Sequence, residues 1–149
     1  MTKVLVRAAA LALTLPFVLA PVAASAETVV LTATLTGANE VGANGSGVGA
    51  PDGGGAFRVE INSDTGDFCY TLYGEKIAAP TMAHVHTGAA GVNGAPVITM
   101  DVTGKGSDMC IAVEPDKLKS IIANPAGFYV NIHTADFPGG AVRGQLTKG

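Results

Sequence analysis

The chain has 149 residues, with 9 Lys or Arg, 12 Asp or Glu and 3 His, for a formal net charge of −3. That length suits one domain with a single core. The acidic balance, with no basic patch and no interleaving of basic and aromatic residues, argues against a nucleic-acid partner.

The first 26 residues read as a secretory signal peptide. Lys3 and Arg7 give a positive start, an apolar run follows from Ala8 to Ala20, and Ala24-Ser25-Ala26 supplies small residues for cleavage. Pro16 and Pro21 interrupt a run already short for a membrane span, so no stable membrane insertion is expected after cleavage. The predicted product is one domain over 27–149, secreted or periplasmic. Without Lys3 and Arg7, seven basic residues face twelve acidic ones, a net charge of −5.

The rest reads as all-β. Thr28–Leu35 alternates, with Val29, Leu31, Ala33 and Leu35 on one face. Gly37–Gly55 is a glycine-rich loop in which Glu40 is the only charge before Asp52. Ala56–Asn62 and Asp67–Tyr73 form a hairpin around Ser63–Gly66, with Phe57, Val59 and Ile61 inward. Met82–His86 is a short strand, and Gly88–Pro96 a loop. Its glycines could suggest a phosphate cradle, but no helix or lysine follows them, so turns are expected. Val97–Val102 and Met109–Val113 are strands flanking a Thr103–Asp108 connection. Pro115–Ala123 is the one helix, with Pro115 in its first turn and Asn124-Pro125 ending it. Phe128–His133 and Ala141–Thr147 form the last hairpin. In it Phe128, Val130, Ile132, Val142 and Leu146 face inward, and Asn131, His133, Arg143 and Gln145 share the polar face. Short, evenly spaced strands predict an antiparallel β-sandwich or Greek-key barrel with one short helix.

The three histidines lie in two similar segments, Ala83-His84-Val85-His86-Thr87-Gly88 and Val130-Asn131-Ile132-His133-Thr134. Strand alternation points His84 and His86 the same way and pairs Asn131 with His133. If these strands are neighbours, three imidazoles converge on one divalent ion, copper first and zinc next. Glu40, Met82 and Asp136 are candidates for a further ligand, Met82 having the strand parity of His84. The competing reading makes the histidines polar-face residues whose rings hydrogen-bond loop backbone. Cys69 and Cys110 form an even pair in an exported chain, which suggests a disulfide, with a thiolate metal site as the alternative. Arg143 is expected in an ion pair with Asp136 or Glu40. No nucleophile–base pair stands out, so no catalytic residue is assigned and an enzyme is not expected.

Four ordered motifs carry a family resemblance: Gly37-Ala38-Asn39-Glu40-Val41; Ala83-His84-Val85-His86 with Gly88 and Gly91; Gly94-Ala95-Pro96-Val97; and Phe128 to Thr134 followed by Phe137-Pro138-Gly139-Gly140 and Arg143-Gly144-Gln145-Leu146. Together they resemble the CHRD domain, the repeat of chordin, from about Thr28 to Thr147. The chain departs from that pattern after Glu40-Val41, where relatives often carry prolines and a shorter insertion. The resemblance implies a β-sandwich or barrel, an extracellular setting, no general enzymatic activity, and a role in binding a protein or matrix partner. His84-Val85-His86 is also similar to the copper-binding strand of copper-zinc superoxide dismutase. That enzyme needs about six histidines and an aspartate, and three histidines cannot build its two-metal site. Two function classes follow from the sequence: an exported binding module of the cell envelope, and a copper-handling or small redox protein.

Overall fold

The computed structural model describes residues 27–42, 47–102 and 108–149. The leader read over 1–26 lies outside the described residues, as does most of the Thr103–Asp108 connection. Nine strands are laid out as β1 (Val29–Thr36), β2 (Gly54–Asn62), β3 (Asp67–Glu75), β4 (Pro80–Thr87), β5 (Pro96–Met100), β6 (Met109–Ala112), β7 (Phe128–Thr134), β8 (Val142–Gln145) and β9 (Thr147–Lys148). One helix, α1 (Pro115–Ala123), precedes β7. Among the described residues no helix is long and apolar enough to cross a membrane.

The strands make one sheet in the order β5-β4-β7-β8-β1-β2-β3-β6, with β9 paired to β1. Every pairing is antiparallel. The sheet curls on itself into an open half-barrel, because strand twist accumulates across so many strands. One face of each long strand then meets a common core. Leu31, Ala33 and Leu35 of β1 join Phe57, Val59 and Ile61 of β2 and Phe68, Tyr70 and Leu72 of β3. Ala83 and Val85 of β4, Ile98 and Met100 of β5 and Val130 and Ile132 of β7 complete it. These are the inward residues that period-two alternation selects.

The helix forms where expected. Pro115 stands at its start, where its missing N–H is no loss. Leu118 and Ile121, one turn apart, are fully buried in the core, and Pro125 prevents the helix from continuing. Strand ends differ from expectation by a few residues. β4 runs out to Pro80 and Thr87, and β5 ends at Met100, not Val102. The last strand is broken into β8 and β9 at Leu146, whose N–H donates to the Phe128 carbonyl while its side chain enters the core. Two single-turn 3-10 segments, Gly37–Asn39 and Pro125–Gly127, lay within segments read as irregular.

Cys69 and Cys110 are bridged, directly opposite each other on β3 and β6. The bridge holds the edge strand β6 to the first hairpin. It also removes the thiols from any metal site.

Candidate metal centre

β4 and β7 are neighbours, and their register puts Met82 opposite His133, His84 opposite Asn131 and His86 opposite Tyr129. On β8, Arg143 lies opposite Asn131 and Gln145 opposite Tyr129. Since Ala83, Val85, Val130 and Ile132 fill the core, all these polar side chains share the other face. That face is not left to solvent. His86, Tyr129, Asn131, His133 and Arg143 are all buried, and so is Glu40.

The loops after β1 and β4 cover it, tied down by side-chain donors. Arg143 donates through Nη1 to Asn93 Oδ1 at 3.0 Å and through Nη2 to the Ala89 and Val92 carbonyls at 3.0 and 2.8 Å. Its guanidinium carbon lies 3.3 Å from the Tyr129 ring centroid, a cation–π contact in a desolvated setting. Gln145 Nε2 donates to the Gly88 carbonyl at 2.8 Å. Asn93 Nδ2 in turn donates to the Val41 carbonyl at 2.7 Å, joining the two covering loops.

The three histidines meet within this layer. One ring nitrogen from each lies within 4.8 Å of the other two. His84 Nδ1 is 3.1 Å from His133 Nε2. His86 stacks on Tyr129, with centroids 4.8 Å apart and planes 6° from parallel. Two of the rings have their tautomers fixed from behind. His86 Nδ1 is 2.9 Å from the Gly94 carbonyl and His133 Nδ1 is 3.0 Å from the Pro138 carbonyl. A carbonyl only accepts, so both Nδ1 atoms carry the proton and both Nε2 atoms present a lone pair. Metal-ligating imidazoles are oriented in this way. His86 Nε2 is moreover buried without a hydrogen bond of good geometry, as are Asn131 Oδ1 and Glu40 Oε1 in the same layer. An unpaired buried nitrogen is costly unless something occupies its lone pair. Burial, with the charges of His133 and His86, lowers the His84 pKa; burial also lowers that of His86, against the pull of its Gly94 hydrogen bond. Both shifts favour the neutral form that coordinates metal. The residues present therefore fit a small borderline cation.

The other candidate ligands are placed differently. Glu40 and Asp136 lie outside the cluster of ligating atoms. Asp136 is exposed in the β7–β8 turn. Glu40 is 3 % exposed, and its carboxylate packs on the backbone of Gly140, which at φ 135° adopts a conformation suited to glycine. Burial, partly offset by Arg143, Asn131 and the Val41 backbone, pushes its pKa up to about 7. Met82 is 48 % exposed and is the cross-strand partner of His133. The expected ion pair of Arg143 is corrected: the guanidinium is satisfied by carbonyls, Asn93 and an aromatic face, and it acts on Glu40 only through its field. Among the described residues the ion pairs are Arg58–Glu60 and Lys119–Asp116. Loop backbone explains this, because three carbonyl and amide oxygens converge where Arg143 emerges.

Tyr129, Asn93 and the Gly94 and Pro138 carbonyls were not singled out from the sequence. Tyr129 shares the strand parity of Asn131 and His133, which puts it on their face.

Comparison with protein families matches the CHRD domain over residues 31–146. The chain belongs to the CHRD domain family. Comparison with curated proteins and with solved structures finds no match. CHRD membership supports a binding or interaction module in general, and CHRD domains are extracellular. In this CHRD domain the match runs from Leu31 within β1 to Leu146 and so takes in every residue of the histidine cluster and its covering loops.

Proposed function

We propose that this CHRD domain is an exported, non-catalytic binding module whose loop-covered face holds one metal ion on His84, His86 and His133, copper in preference to zinc. One observation carries the reading. The two rings with backbone-fixed tautomers direct their Nε2 lone pairs into a cluster whose ligating atoms lie within 4.8 Å; that of His133 meets only His84, and that of His86 is buried without a hydrogen bond of good geometry. Hydrogen bonding to loop backbone, the competing explanation of the histidines, accounts for only one nitrogen of each of these two rings. Copper is preferred because it heads the divalent affinity series with imidazole ligands. When bound, the ion would also pin β4 to β7 beneath the covering loops. Export is supported by the leader pattern, the disulfide and the extracellular character of the family. The acidic charge argues against nucleic acid, and a protein or matrix component is the partner class.

The test uses the chain's own fluorophores. It has no Trp and three Tyr, one of them stacked on His86. Titrating metal-depleted protein with Cu(II) should quench part of the tyrosine emission and saturate at one equivalent, and Tyr129→Phe should remove most of that quenching. An unsaturable titration would refute the site.

A further inference from the structure

We propose that Met82 supplies a thioether ligand to this centre, making it competent for Cu(I); the inference rests on the three-histidine reading above. Met82 and His84 are two residues apart on β4, with Ala83 between them buried in the core, so their side chains leave the same face. Met82 is also the direct cross-strand neighbour of His133. Side chains so paired have Cβ atoms about 4.5–5.5 Å apart, within the reach of an unbranched methionine. The histidines offer three ring nitrogens, so a four-coordinate ion would need one further ligand, and the cluster meets solvent on the His84 side. His84 is only half-buried there, and Met82 is 48 % exposed.

The chemistry of that fourth position decides which ion is favoured. Thioether sulfur is a soft ligand that selects Cu(I), whereas zinc and Cu(II) are well served by imidazole nitrogen alone. Both cysteines are consumed in the disulfide, Met100 is buried in the core, and Met109 on β6 packs against that core, so Met82 is the sulfur available at this mouth among the described residues. An isolated exposed methionine needs no special explanation. One placed beside His133 and in phase with His84 has a specific use.

The experiment compares the exported full chain with its Met82→Leu variant. An exposed Leu preserves shape and hydrophobicity, and matched thermal melts check folding. Cu(I) is titrated anaerobically against a chromophoric Cu(I) chelator, and Zn(II) is titrated in parallel. Met82→Leu should lower Cu(I) affinity by about tenfold or more, at least what losing an outer-shell partner costs, and change Zn(II) affinity by less than about threefold. Equal Cu(I) affinities, with saturable Zn(II) binding in both proteins, would overturn the thioether ligand and leave the three-histidine site standing. No saturable binding of either ion to the wild-type chain would overturn both.

Discussion

His84 Nδ1 lies 3.1 Å from His133 Nε2, and the Pro138 carbonyl behind His133 fixes which of the two donates. His133 carries its proton on Nδ1, so its Nε2 accepts and His84 Nδ1 is the donor. Without metal, one proton therefore sits between two nitrogens that a metal would join. The site is self-closed, and loading it requires His84 to give up that hydrogen bond.

The same geometry separates two variants that look equivalent in sequence. His133 is buried and holds Pro138, so His133→Ala should destabilise the metal-free domain by about 1–3 kcal/mol through an unpaired carbonyl and a cavity. His84 is half-buried, and its loss unpairs His133 Nε2 beside solvent without opening a buried cavity, so His84→Ala should cost less than His133→Ala, about 1 kcal/mol. Urea denaturation of metal-free protein measures both, and equal destabilisation would contradict the assignment of His133 as the pinned ring.

Glu40 predicts a pH dependence with a definite sign. Its carboxyl is raised from 4.5 to about 7, chiefly by burial, so between those values the folded state binds the proton that the unfolded state has lost. Its contribution is most favourable below about 4.5 and is lost as pH rises through 7, an effect of about 3 kcal/mol. Glu40→Gln should flatten that part of the profile and leave the domain more stable at pH 8. Denaturation midpoints from pH 5 to 8 check it; a wild-type profile as flat as the variant's would count against a buried, proton-retaining Glu40.

Arg143 holds the covering loop by geometry as much as by charge. Lysine cannot reproduce its fork to Asn93, Ala89 and Val92 or its stacking on Tyr129. Arg143→Lys should cost about 2–3 kcal/mol and expose 88–95 to limited proteolysis. A variant with wild-type stability and protease resistance would show that the loop is held by other contacts.

Reducing the Cys69–Cys110 bridge reopens a sequence separation of 41 residues, worth up to about 4 kcal/mol in the chain-entropy account. Because β6 is an edge strand that pairs only with β3 among the described residues, its amides should lose hydrogen-exchange protection first. Uniform loss across the sheet, or no change in unfolding midpoint, would contradict this.

The strands were legible because apolar residues alternate along them: Phe57, Val59 and Ile61 on β2 could face inward only together. Parity likewise grouped His84 with His86 and Asn131 with His133, and the structure brings these pairs onto one covered face. What sequence could not show were the groups closing that face. The Gly94 and Pro138 carbonyls carry no side-chain signature. Glu40 and Asn93 lie in loops without periodicity. The sequence suggests an ion pair of Arg143 with Asp136 or Glu40 because the loop oxygens that bind it instead belong to segments far along the chain. β9 was merged with β8 because the break at Leu146 follows from a tertiary hydrogen bond, not from a local turn signal.

The most direct test of the three-histidine centre is the electron paramagnetic resonance spectrum of metal-depleted protein titrated with Cu(II), wild type beside His84→Ala. The account predicts one spectral species that saturates at one equivalent with hyperfine structure from imidazole nitrogens, and a weakened, altered signal in the variant. A titration that never saturates, or a spectrum unchanged by His84→Ala, would contradict it.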